Sequence, residues 1–431
     1  MNKHDKKLIV TVGSLTASGA VMAYVVAQWT VALSTEPLQL LILQFVLQMV
    51  PHLAAYYLTY MLLRKIRYSS LLGISIVARF VALISFFAFA MSGHVMAANI
   101  VFGILAGAAG GMYWCGYNVA LNRVERKSFR RYLSTEGSLA ELLSIGAPLI
   151  MALCILAFGD VYSLPAGVYI TLFAISSVLI VVAFVAIVSA KGDKEGGTLN
   201  LKGKFFSKTD KPWNHLLLFS IFYGIVSGVG GSLGGVILIL FTIYAGASQV
   251  TYLVILSVCM LFAAVTIFVY RRIRIQNKFL YYFFVVLEAA VFLSIGFVYG
   301  NYLTVLACAI ILLLRNVAVK MRLPLEVSCH VGLLTNYLQS EGNVAGRYFV
   351  REAFIVVGRL IGAGVTLVLA LAVPGNYYFL AAVVFGFVAA NILSLTFYTK
   401  VMRDIDRINK DKQEAATAER IEAEESAVCE T

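Results

Sequence analysis

Apolar residues gather into twelve runs, at roughly 8–33, 38–63, 69–91, 95–120, 136–158, 165–189, 215–243, 249–270, 279–299, 302–328, 348–373 and 376–400. Each has about the 20 residues or more that a helix needs to cross a hydrocarbon core, so the pattern predicts an all-α membrane protein with twelve transmembrane helices. Run ten carries Arg315, Lys320, Arg322 and Pro324 and is expected to break or to end early. The stretch KGDKEGGTLNLKGKFFSKTDKPWN, polar and rich in Gly and Lys, separates runs one to six from runs seven to twelve. The chain therefore reads as a six-helix bundle over 1–190, a linker over 191–214, a second six-helix bundle over 215–400 and a tail over 401–431. The tail, VMRDIDRINKDKQEAATAERIEAEESAVCET, suits a short exposed helix that fades into acidic disorder.

The two bundles share text. RYLSTEGSLAELLSIGA, from Arg131 to Ala147, is echoed by RYFVREAFIVVGRLIGA, from Arg347 to Ala363, with identity at six of seventeen positions. The offset, 347 − 131 = 216, is half of the 431 residues. Each copy enters the fifth helix of its own half, which points to a duplicated bundle.

Composition adds that 61% of the residues are hydrophobic and 13% charged, more apolar surface than a soluble chain of this size can cover. The net charge of +12 sits in alternate connections. One set holds Lys3, Lys6 and Lys7; Arg64, Lys65 and Arg67; Arg123, Arg126, Lys127, Arg130 and Arg131; and Arg271, Arg272, Arg274 and Lys278. The other set, STEP, MSGH, FGDVYSLPA, YAGAS, YGNY and VPGN, has neither Lys nor Arg. The positive-inside rule places both termini in the cytoplasm of a multi-pass plasma-membrane protein. Basic loops of this kind suit anionic inner-leaflet lipid, so no nucleic acid is implied. The six cysteines avoid the second set and form no disulfide framework or metal-ligand spacing.

Six plus six spans, a central polar connection and parallel repeats resemble the major facilitator superfamily of secondary transporters, over residues 8–400. LLRKIRYSSLLG keeps the basic residues of the superfamily's second connection and lacks its Asp, and Gly146-Ala147-Pro148 only echoes its antiporter pattern. Neither a drug antiporter nor a sugar porter is supported. YWCGYN and REAFIVVGR are similar to a sparsely characterised bacterial branch. The resemblance implies a monomer of two pseudo-symmetric bundles that rock about a central site, with spans one, four, seven and ten lining the cavity.

Those spans carry polar faces of their own. Span four has Trp114, Asn118 and Asn122 at i, i+4 and i+8, beside Tyr113 and Tyr117. Such a stripe lines a cavity or bonds helix to helix. Span one offers Tyr24 and Gln28, with Trp29 as an interfacial anchor, and span seven offers Tyr223 and Ser227 before GVGGSLGG. Gly224 and Gly228, and Gly231 and Gly235, are spaced for close helix approach. On span ten, Arg315, Arg322, Glu326 and His330 fall within a sector of about 80° if the helix is continuous. They form an anion-binding stripe, or else only Arg315 lies inside. Span two carries Gln44, Gln48, His52 and Tyr56 at four-residue spacing.

Arg79, Glu288 and Arg359 lie deep in spans three, nine and eleven, where a charge costs at least about 2.5–3.5 kcal/mol, so each should have a partner. Glu288 is expected to pair with Arg315. Arg131, Glu136, Arg347 and Glu352, from the repeated stretch, are expected to form ion pairs that close the cytoplasmic side; capping and snorkelling are the alternative.

The function expected is secondary active transport of a small organic solute, anionic or amphipathic, by alternating access, with protons as an optional coupling partner. A non-transporting scaffold or receptor, or a flippase for a lipid-linked substrate, is the alternative. An enzyme is not supported: the sequence has no metal motif, phosphate loop or nucleophile–base spacing, and no cofactor is implied.

Overall fold

In lipid, a backbone can satisfy its own polar groups only as a helix or a closed barrel. In the computed structural model the described residues form twelve helices: α1 Lys3–Leu33, α2 Pro37–Leu62, α3 Tyr68–Met91, α4 Val95–Leu121, α5 Arg126–Phe158, α6 Ala166–Val188, α7 Lys211–Ile243, α8 Gln249–Tyr270, α9 Asn277–Val298, α10 Val305–Glu341, α11 Ala345–Ala372 and α12 Tyr377–Cys429. The structure describes residues 3–121, 124, 126–158, 166–190, 201, 204–243, 245–270, 272, 277–298, 304–341, 345–372 and 377–429. For some of these, including Tyr24, Gln28 and 231–243, only the backbone is described. Ten helices are long and apolar enough to cross a membrane among the described residues.

Packing repeats with the text. In the first half α1 packs on α5 and α6, α4 on α2 and α3, and α3 on α6. Adding six to each label gives the second half: α7 on α11 and α12, α10 on α8 and α9, α9 on α12. The halves meet chiefly where α5 lies on α8 and α11 on α2, again a pair related by six.

Glycines set the tightest seams. On α4, Gly107 and Gly111 sit against the backbone of Gln48 and His52 on α2, where any added methyl would overlap a carbonyl. In the same way Gly224 of α7 meets Ile355 and Gly358 of α11, Gly228 meets the Arg359 backbone, and Gly362 of α11 meets the Ile225 backbone. The first of the two spacings expected on span seven thus works as close approach; Gly231 and Gly235 lie outside the described side chains.

Both termini lie at one end of the bundle. There His4 of α1 lies within hydrogen-bonding distance of the Ala190 carbonyl after α6 and the Tyr68 hydroxyl of α3, and His215 of α7 donates to Asp404 of α12 at 2.8 Å. At the opposite end Thr30 of α1 and Asn99 of α4 bond to each other.

Four expectations change. Helix α10 runs unbroken through Pro324, because its neighbours hold the turn that proline weakens. Helix α5 begins at Arg126, ahead of its apolar run, since a helix needs no apolar face once it leaves lipid. The tail does not fade: α12 continues to Cys429, through good helix formers and an i,i+4 pair of Lys410 and Glu414 at 3.5 Å. Trp29 is buried edge-on against Phe86 and Phe87 and is no interfacial anchor.

Candidate functional site

Arg322 organises the inside of the second bundle. Its Nη1 forms an ion pair with Glu288 of α9 and donates to Asn391 Oδ1 of α12 at 3.0 Å. Its Nε and Nη2 donate to Glu326 Oε1, one turn along α10, at 3.2 and 3.0 Å. Tyr281 of α9 donates to the same oxygen at 3.2 Å, and its ring lies 5.6 Å from the guanidinium. All of these groups are buried. The cluster therefore ties α9, α10 and α12 together and satisfies its own charges.

This corrects the expected pairing. Glu288 faces α10 as expected, but its partner is Arg322. Arg315, two turns away, donates Nη2 to the Gly230 carbonyl of α7 at 3.2 Å and lies 5.7 Å from the Phe292 ring. Arg322 and Glu326, expected at a solute site, have their bonds taken up inside the bundle. His330 donates Nδ1 to the Glu326 carbonyl at 3.0 Å.

In the first half, Tyr113 and Tyr117 stack at 5.8 Å, with Trp114 edge-on to both at 5.5 Å. Asn118 donates to the Tyr56 hydroxyl of α2 at 3.0 Å, so the Asn118 part of the stripe joins helix to helix. Arg79 packs beside Gly19 of α1 and, against expectation, has no ion pair among the described residues. Asn122 and the side chains of Tyr24 and Gln28 lie outside the described residues.

The repeated stretch splits in behaviour. Arg131 is exposed and forms no ion pair among the described residues. Glu136 stays in its own half, accepting from the Tyr117 hydroxyl at 2.9 and 3.1 Å. Arg347 pairs with Asp210 at 3.0 Å and lies over the rings of Tyr337 and Trp213, at 3.6 and 4.7 Å. Glu352 crosses the halves: His52 Nε2 of α2 donates to it at 3.1 Å, with Arg359 of its own helix at 3.8 Å.

Other bonds join the halves beside it. Lys320 of α10 forms an ion pair with Glu141 of α5. Arg130 donates to the Tyr270 carbonyl at 2.9 Å and lies 4.4 Å over that ring. Ser138 donates to the Ala264 carbonyl of α8 at 3.1 Å. Sequence reasoning named His52 and Lys320 but missed these pairings, and it passed over Arg351. The only signal for Arg351 was a charge inside or next to an apolar run.

No family model matches the sequence, and no curated protein matches it. Solved structures do share its architecture. A bacterial homologue of the iron transporter ferroportin, in its outward-facing state, aligns with 94% of this chain and 100% of its own at a TM-score of 0.64 and 13% identity. The human organic anion transporter MFSD10 aligns with 93% of this chain and 100% of its own at 0.59 and 12% identity. FucP, a major facilitator superfamily transporter in the outward conformation, aligns with 93% and 99% at 0.59 and 14% identity. Such likeness concerns the fold: two pseudo-symmetric six-helix bundles of membrane-crossing helices. This is the fold of the major facilitator superfamily.

Proposed function

We propose that the protein is a secondary transporter that moves a small organic solute across the plasma membrane by alternating access, with both termini in the cytoplasm. The placement of the bonds between the halves carries this reading. His52–Glu352, Lys320–Glu141, Arg130–Tyr270 and Ser138–Ala264 all fall in the part of the bundle nearer the termini. A cluster of polar links at one end of an interface between two rigid bundles acts as a gate: it favours the state closed there and parts when that end opens.

Solute contacts are assigned to Tyr24, Gln28, Tyr113, Trp114, Tyr223 and Arg315, with Asn118 bracing α4 on α2. Arg322 and Glu326 are assigned to holding the second bundle together. Proton coupling is assigned to the His52–Glu352 pair, which sets an imidazole against a carboxylate across the moving interface.

Spin labels at Arg131 and Arg272, both exposed and on opposite halves near the termini, test the gate. Two distance populations in reconstituted vesicles, together with flux of labelled metabolites, are expected. One unchanging distance and no flux for any metabolite class would remove the transporter reading.

A further inference from the structure

Charge inside the second bundle does not balance. Of the cations of α10 and α11, Lys320 takes Glu141 and Arg347 takes Asp210, which leaves Arg315, Arg322, Arg351 and Arg359 against the carboxylates Glu288, Glu326 and Glu352. Arg322 takes Glu288 and Glu326, and Glu352 takes His52 and Arg359. Arg315 has the Gly230 carbonyl. The fourth guanidinium, Arg351 on α11, is only 6% exposed and has a fully buried Nε without a partner. It makes no hydrogen bond or ion pair among the described residues.

Two more unused groups stand near it. His330 on α10 is 4% exposed; its Nδ1–H is committed to the Glu326 carbonyl, which leaves Nε2 buried without a partner. Tyr223 on α7 stacks on Phe219 and uses its hydroxyl in no hydrogen bond among the described residues. The His330 ring stands edge-on to Tyr348, one turn before Arg351 on α11, at 6.5 Å, and Gly224, next to Tyr223, packs on the α11 backbone at Ile355, one turn beyond Arg351. Three helices thus bring a fork of N–H donors, a phenol and an imidazole nitrogen together, and the protein bonds none of them further. Glu352, next to it along α11, lies within its field but is bonded to His52 and Arg359; a buried guanidinium that no acceptor bonds is costly in a membrane protein and marks a functional site by default. A guanidinium offers paired N–H groups that match the two oxygens of an oxyanion.

We propose that Arg351, flanked by Tyr223 and His330, receives the transported solute, and that the solute carries a single negatively charged oxyanion group, a carboxylate or a phosphate. This rests on the transporter reading. It moves anion recognition from α10, where the sequence pointed, to α11: the α10 arginines already have acceptors.

The test uses the full chain in detergent and follows thermal unfolding at equal ionic strength in sodium benzoate, sodium phosphate, sodium chloride, or chloride with neutral benzamide. Benzoate or phosphate raises the unfolding temperature by several degrees over chloride, and benzamide does not. Which anion acts tells carboxylate from phosphate. Arg351→Gln abolishes the increment, and Arg351→Lys, which keeps the charge and loses the fork, retains less than half of it. Arg131→Gln, at the exposed position, keeps it all. Equal increments in wild type and Arg351→Gln, or none from either anion, would overturn the proposal. The Arg131–Arg272 label distances, measured on the same wild-type protein, separate the two failures. If the distances exchange and the anions do not act at Arg351, only the anion site falls; if they do not exchange, the transporter reading falls first.

Discussion

The two copies of the repeated stretch occupy equivalent helices and behave differently. In the first, Arg131 is exposed and Glu136 is held by Tyr117 of its own half. In the second, Arg347 is buried against Asp210, Trp213 and Tyr337, and Glu352 reaches His52 in the other half. The copies themselves do not account for this; their surroundings do. Asp210 and Trp213 come from the link between the halves and the start of α7, which precede the second bundle only. The face that α8 presents to α5 offers the Ala264 carbonyl and Ile267, whereas the face of α2 that meets α11 carries His52. The repeated frame is symmetric, and the partners that surround it are not.

The contrast between a charge-bonded second half and a lightly bonded first half can be broken in steps. Arg322→Met should have the largest effect, because it leaves Glu288 and Glu326 buried without their cation. Breaking such a cluster costs about 3–5 kcal/mol, read as a steep fall in unfolding temperature. Adding Glu288→Gln and Glu326→Gln should recover most of it; an equal loss in single and triple variants would assign the effect to packing.

Glu352→Gln comes next. It weakens a charge-assisted bond across the interface worth about 1.5–3 kcal/mol, so the Arg131–Arg272 distances should shift roughly tenfold or more toward the form open at the termini. Unchanged populations would show that the other cross-half bonds suffice. Glu136→Gln removes the charge from a bond inside one half and should cost about 0.5–1.5 kcal/mol in stability with no shift in those distances. A shift there would mean that both copies gate. Arg131→Ala should leave unfolding temperature and distances unchanged, as its side chain is exposed; a clear loss would reveal a role that only its counterpart is assigned here.

How legible the protein was varied with the kind of interaction. The helices could be read directly, because lipid demands about twenty apolar residues per crossing and tolerates few charges. The repeat could be read because the same frame was written twice. Glu288 shows where reading stopped. Arg315 and Arg322 sit seven residues apart on one face of α10, so periodicity offers both; choosing between them needs the height of α9 against α10. Arg351 gave no signal beyond a charge next to Glu352: neighbouring helix positions diverge by about 100° and meet different partners, which the sequence does not name.

From the residues alone came the number of spans, their doubling, the sidedness of the basic loops, and the presence of charges that needed an explanation. These follow from local rules, since each segment must suit its own solvent whatever the others do. The tertiary structure decided which charges satisfy one another. It joined Arg322 to Glu288 across 34 positions and His52 to Glu352 across 300, and it left Arg351 open. Such pairings depend on the relative height and rotation of helices, which close glycine packing sets and which no single segment encodes.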